Sequence, residues 1–284
     1  MNKVDFLGHQ VSKLIVGDNS MTGHSYIEDI APGADMKKYY TAENIKAALR
    51  KIQEKGINTM VPLAHPYMVR LFEEFQYEGG EMQIIWQPWV NTPNMEDSIK
   101  DVPKTLNTIA TYHQGTTTDY LYEMGEIEQI KRNIQALKEF GVPVGIGTHY
   151  PEVVERCEEE NWGADFYMAC MQNARRGRRG EQSGFITGKT KAHVKFYPED
   201  RPIMLETLKK IEKPIIAFKI FAGGQMFVDK TEEEVNGLLK GVYEEVFSAL
   251  KPNDIAAMGV FQRDNDQITQ NIKMYEEWYA EKNK

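Results

Sequence analysis

Short apolar, β-branched runs recur along the chain, and longer stretches with a helical spacing of apolar residues lie between them. The runs fall at 14–17, 57–61, 82–87, 108–112, 143–147, 165–169, 214–219 and 255–261. Each is too short for an amphipathic helix and is followed by turn or polar residues, so each predicts a strand. The stretch 42–55 carries Ile45, Ala48, Leu49 and Ile52 on one helical face. Segment 126–140 repeats the pattern with Ile127, Ile130, Ile134 and Leu137. Segment 231–250 opens on Thr231-Glu232-Glu233-Glu234, the spacing of a capping box. Gly56 and Gly141 sit where helices should end in a left-handed residue, and Pro214 and Pro252 act as breakers.

Eight strands alternating with helices predict a parallel sheet, and eight is the number that closes into a (β/α)8 TIM barrel. An open doubly wound sheet is the alternative, but no glycine-rich phosphate turn follows the first run. No linker or low-complexity tract interrupts residues 1–284, so one barrel domain is expected.

Composition narrows the classes. Hydrophobic residues make up 41% and charged residues 27%, as in a globular protein. A net charge of −8 argues against nucleic-acid binding. No apolar run reaches the roughly 18 residues of a membrane span, and residues 1–5 lack the apolar core of a signal peptide. Cys157 and Cys170 cannot form a disulfide framework or a four-thiolate metal site, which fits a cytoplasmic protein.

In barrels of this kind the chemistry sits at the C-terminal ends of the strands. Four of the 6 histidines, His24, His65, His113 and His149, fall on that rim; His9 does not, and His193 lies in the loop after the sixth strand. His113 and His149 each follow their strand immediately, so both should point into the barrel mouth as general acid and base. Lys219 ends a very apolar strand, where burial would tune it for acid–base, Schiff-base or oxyanion work. Asp18 ends the first strand. With His113 and His149 it would make a histidine–carboxylate set suited to Zn or Mn, with Asn173 or His65 in support. From Arg175 to Lys195 seven basic residues stand against one acid, Glu181, which suggests a lid for an anionic small-molecule substrate. Trp86, Trp89, Tyr67, Tyr112, Tyr150 and Tyr167 crowd the same rim.

The chain also resembles the aldo-keto reductases. The residues that carry the likeness are Leu7-Gly8-His9-Gln10-Val11-Ser12-Lys13-Leu14, Gly56-Ile57-Asn58-Thr59, Ile146-Gly147-Thr148-His149, the run from Ala217 to Gly224, Gly259-Val260 and Gln267-Ile268-Thr269-Gln270-Asn271. The resemblance implies a barrel preceded by a short N-terminal hairpin. It also implies an NADP(H) site in which Arg263 and Asn271 hold the adenosine phosphate, Gly223 and Gly224 flank the cofactor, and Tyr67 is the acid. The catalytic pattern of that family is broken here. Val61 stands where its aspartate belongs, Trp86-Gln87 replaces its lysine, and Met168 stands at its nicotinamide-holding glutamine. Only His113 falls where the family carries a catalytic residue.

The expected activity is therefore acid–base, metal-assisted or metal-free lyase, isomerase or hydrolase chemistry on a small polar carbonyl- or sugar-like substrate. Its site would be His113, His149 and Lys219 together with Tyr67. An NAD(P)H-dependent oxidoreductase with a rearranged tetrad is the second reading, and a non-catalytic binding barrel the third.

Overall fold

A computed structural model describes residues 1–88, 106–182 and 194–284. Trp89, and with it Gly184, Gly188, Lys189, Lys191 and His193 of the basic stretch, lie outside the described residues.

Strands β1 (Lys3–Phe6) and β2 (His9–Ser12) form an antiparallel hairpin. Its turn, Leu7-Gly8, takes positive φ at both residues, the conformation that a two-residue hairpin needs. Eight parallel strands then close a barrel: β3 (Leu14–Gly17), β4 (Thr59–Val61), β5 (Gln83–Trp86), β6 (Thr108–His113), β7 (Val144–Thr148), β8 (Phe166–Cys170), β9 (Ile215–Phe218) and β10 (Ile255–Met258). They run in chain order, and β10 pairs with β3 to complete the circle. Every predicted run contains its strand, or most of it.

The described helices are α1 (Gly33–Tyr39), α2 (Ala42–Glu54), α3 (Pro66–Tyr77), α4 (Gly115–Glu123), α5 (Ile127–Lys138), α6 (Pro151–Glu160), α7 (Asp200–Leu208), α8 (Glu232–Ala249) and α9 (Gln267–Lys282). Helix α2 buries Ile45, Ala48, Leu49 and Ile52, the stripe that its sequence predicts. Helix α8 starts with a complete capping box, Thr231 with Glu234. Gly56 and Gly141 adopt φ of 87° and 73°. Among the described residues no helix is long and apolar enough to cross a membrane.

Alternation along the strands sorts the core into two layers. Ile15, Ile85, Ile109, Phe166, Ile216 and Ile255 fill the barrel interior, and Phe6 and Val11 of the hairpin join that cluster. Leu14, Ile84, Ile146, Tyr167 and Ala217 face the helices. On β6, Tyr112 belongs to the interior set. The next residue, His113, therefore belongs to the outer face.

Candidate active site

His113 corrects the sequence expectation. It is fully buried between strand and helices: Nδ1 lies 2.7 Å from Thr118 Oγ1, and Nε2 lies 2.9 Å from Asn133 Nδ2 on α5. The Thr118 hydroxyl donates to the carbonyl of Gln114, so Nδ1–H must donate to Thr118 and Nε2 must accept from Asn133. Protonation would set a second N–H against the Asn133 amide. Burial pushes the imidazole down to about 3, so it stays neutral. Both nitrogens are spent on the helix layer, and His113 is not part of the barrel mouth.

His149 does enter the mouth. Its Nδ1–H donates to Asp119 Oδ2 at 2.6 Å, and its backbone N–H donates to Asp119 Oδ1 at 3.1 Å. The Thr148 hydroxyl donates to the same Oδ1 at 2.6 Å. Asp119 is completely buried on α4, which packs against β7. Three donors around one buried carboxylate fix the ring's orientation and tautomer.

On the far side of the ring, Lys219 Nζ donates to His149 Nε2 at 3.0 Å. Lys219 follows β9 with φ of 53°, a conformation that costs a residue with a Cβ about 1 kcal/mol and recurs at functional sites. Its ammonium lies 4.9 Å from the centre of the Tyr26 ring, 5.3 Å from that of Phe218 and 5.8 Å from that of Phe196. Such ring faces stabilise a cation. Burial works against the charge, but Tyr26, Cys170 and Asp119 outweigh it and hold Lys219 above its ordinary pKa.

The Tyr26 and Phe196 walls are fixed by Gln225. Its Nε2 donates to the carbonyls of Tyr26 at 2.9 Å and Val194 at 2.6 Å, and its Oε1 accepts from Phe196 N–H. Gly223 has φ of 60°, and a Cβ there would meet the Tyr26 ring at 2.6 Å. Gly223 and its neighbour Gly224, with φ of 92°, thus make the turn that lets Tyr26 sit over Lys219.

Asp18 and Tyr112 add acid groups to the mouth. Asp18 accepts from Leu63 N–H at 2.8 Å, and burial pushes its carboxyl up to about 6. The Tyr112 hydroxyl donates to Gln87 Oε1 at 2.7 Å, and burial, with Asp18 and Tyr26 nearby, holds it well above its ordinary pKa.

The metal set of His113, His149 and Asp18 is not assembled. His113 faces the helices, and among the described residues no three His, Cys, Asp or Glu side chains are grouped to hold a metal ion. Asn173 Oδ1 instead accepts from Arg175 N–H, and His65 caps α3 by accepting from Tyr67 N–H. Tyr67 is 45% exposed at the start of α3. Burial and Glu74 raise its pKa, and Glu74 lies further along the same helix.

The residues implied for a nicotinamide cofactor are also engaged elsewhere. Asn271 is buried between helices, where its Nδ2 donates to Gln267 O and its Oδ1 accepts from the Tyr243 hydroxyl. The Arg263 guanidinium pairs with Asp264 at 2.9 Å and Asp35 at 3.0 Å. Two carboxylates on the arginine and a sequestered asparagine do not fit a phosphate grip. Of the basic stretch, Arg175 is buried in a two-pronged pair with Glu123, and Arg176 pairs with Asp200. Those two charges fasten the chain rather than face a ligand. Trp86 and Tyr167 also face outward, donating to Thr108 and Glu158, and the Tyr150 hydroxyl donates to Glu123.

Comparison with known proteins shows the fold alone. No family model matches the chain, and no curated protein does. The solved structures similar to it are TIM barrels of unlike chemistry. The aldo-keto reductase AKR11C1 from Bacillus halodurans is 14% identical, with a TM-score of 0.55 over 97% of this chain and 91% of its own. A dihydropteroate synthase from Yersinia pestis is 8% identical, with a TM-score of 0.54 over 99% of each chain. A truncated 3-deoxy-D-arabino-heptulosonate 7-phosphate synthase from Thermotoga maritima is 12% identical, with a TM-score of 0.52 over 99% of this chain and 91% of its own. The barrel is shared with all three, so the aldo-keto likeness stands for architecture and does not single out that branch.

Sequence reasoning puts Asp119 on the rim after the fourth strand without giving it a role, and it misses Tyr26, Phe196 and Gln225. One signal for Asp119 existed: it is the lone carboxylate in segment 108–122. The others come from loops whose approach to Lys219 only the closed barrel fixes.

Proposed function

We propose that this chain is an enzyme of the lyase or isomerase class. It would move a proton next to the carbonyl of a small polar substrate. The observation that carries this reading is the chain Asp119–His149–Lys219, with contacts of 2.6 Å and 3.0 Å. Lys219 is only partly buried, while His149 is 3% exposed and Asp119 fully buried. The lysine is therefore the member that faces substrate. Facing nitrogens at that distance share one proton, which can sit on Nζ or on Nε2 without movement of heavy atoms. The group that has given a proton to the substrate is refilled by its neighbour.

A lysine held charged is a poor Schiff-base nucleophile, because that role needs a free amine. It suits the stabilisation of an enolate or oxyanion. Tyr112, held protonated, supplies a neutral acid for the substrate's other oxygens, and Asp18 does so only below about pH 6. An NAD(P)H-dependent reaction is the weaker reading, because Arg263 and Asn271 are engaged elsewhere. No step proposed here uses a nicotinamide or a metal.

The test is solvent exchange. Glycolaldehyde, dihydroxyacetone and pyruvate are incubated with the protein in deuterium oxide, and loss of the proton next to the carbonyl is followed by NMR. Enzyme-dependent exchange that disappears in Lys219→Met and falls steeply in His149→Asn supports the reading. Exchange unchanged in both variants, or turnover seen only with NADPH, overturns it.

A further inference from the structure

The strand register places a thiol within this site. Thr148 of β7 pairs with Ala169 of β8, and Cys170 pairs with Phe218 of β9. Phe166 and Met168 fill the barrel interior, so Cys170 continues the inward-facing set. The His149 ring meets the Phe218 ring edge-on at 5.7 Å, and its Nε2 meets Lys219. Both partners belong to β9 or the residue after it, two strands from β7. The imidazole therefore reaches across the end of β8, where Cys170 stands. At that place the thiol lies close enough to His149 and Lys219 to feel their charge. Burial opposes a thiolate, but His149 and Lys219 overcome it and hold the thiol below its ordinary pKa.

Cys157 is an internal contrast. It is equally buried, on α6 in the helix layer, and burial pushes its thiol up. Near Cys170 a second group is left over: Gln172 is 2% exposed, and its Oε1 accepts no hydrogen bond from the described residues. A buried acceptor with no donor costs about 1–3 kcal/mol, which a hydroxyl or amide of a ligand would recover.

We propose that Cys170 is a nucleophile of this site, set between His149 and Lys219, and that it adds to small α,β-unsaturated carbonyl compounds. The proposal shares His149 with the relay above but requires no turnover. In the step, Lys219 turns its N–H from His149 Nε2 to the substrate carbonyl, the thiol proton passes to the freed Nε2, and the sulfur electron pair forms a bond to the β-carbon. The carbon–carbon π pair shifts to give an enolate, whose oxygen accepts from Lys219. The imidazolium then returns the proton to the α-carbon. The product is a thioether; nothing leaves, and nothing is oxidised or reduced.

The experiment uses N-ethylmaleimide on the native protein, without substrate, with adducts located by peptide mass spectrometry over time. One fast adduct is expected at Cys170, at least about tenfold faster than at Cys157, because alkylation follows the thiolate fraction. His149→Asn should slow the Cys170 reaction at least about tenfold and leave Cys157 unchanged, and Cys157→Ala should retain the fast adduct. The wild-type pH profile serves if His149→Asn does not fold. Labelling of Cys170 should stay fast below pH ~8, while that of Cys157 falls about tenfold per unit. Equal rates at the two cysteines, labelling of Cys170 only after unfolding, or a Cys170 profile that matches that of Cys157 would overturn the proposal. Labelling is read without substrate and the relay by deuterium exchange, so failure of one is distinguishable from failure of the other.

Discussion

Lys219 and His149 meet nitrogen to nitrogen at 3.0 Å, although they lie at the ends of β9 and β7 with β8 between them. The contact exists because the imidazole, anchored by Asp119, lies across the intervening strand end. It joins an ammonium to the accepting nitrogen of an imidazole through one proton.

Removing either side of the contact should abolish catalysis and spare the fold. Lys219→Met and His149→Asn should each lower proton exchange by about 10²–10⁴-fold, the usual worth of a general acid or base. Asp119→Asn should act through the ring's orientation, lowering kcat with little change in KM. Exchange rates with thermal melts on the same samples check all three.

His113→Ala should do the reverse. It leaves a cavity in the helix layer and strips Thr118 and Asn133 of a partner, at a cost of about 2–4 kcal/mol. Activity per folded molecule should be unchanged. Denaturant titration and active-fraction assays separate the two effects. A loss of activity with full stability would return His113 to the site.

The same histidine gives an acid-side pH dependence. Its folded pKa of about 3 lies below the unfolded value of 6.5. Between these values the unfolded chain binds the extra proton, so stability falls as pH drops through that window. His113→Gln should flatten this part of the stability curve measured by urea titration.

Asp18 acts in the opposite sense. Its folded pKa of about 6 lies above the ordinary value of 3.8, so it favours the fold below pH 4 and that benefit is lost as pH rises through 6. Asp18→Asn should keep the bond from Leu63 and, at pH 7.5, stabilise the protein by on the order of 2 kcal/mol. The gain should vanish at pH 4. Melting temperatures of both proteins at the two pH values decide it.

Gly223→Ala tests the wall over Lys219. The new Cβ would meet the Tyr26 ring at 2.6 Å in a left-handed backbone, costing about 2–4 kcal/mol. Because Tyr26 must move, exchange activity should fall with stability even in the folded fraction.

The barrel is legible in the order of residues alone. Alternation of short apolar runs with helical stripes is a local signal, written within each element: Ile45, Ala48, Leu49 and Ile52 mark one helix wherever it packs. Eight such units leave few ways to bury the strands, so closure followed from their number. Rim positions are legible for the same reason, and the structure does set His149 and Lys219 at their strand ends. The direction of each side chain, and its partners, come from the packed barrel. The run 108–112 carried no sign that Tyr112 would turn inward and His113 outward, because that phase is set by strand pairing and barrel closure. The carboxylate behind His149 comes from a helix 30 residues away in sequence, and Lys219 from 70 residues away. The basic stretch read as a lid, yet Arg175 and Arg176 are taken up by Glu123 and Asp200, distant acids with no local trace of the pairing. Charge and polarity are properties of the sequence; which charges meet, and whether water reaches them, is a property of the packed fold.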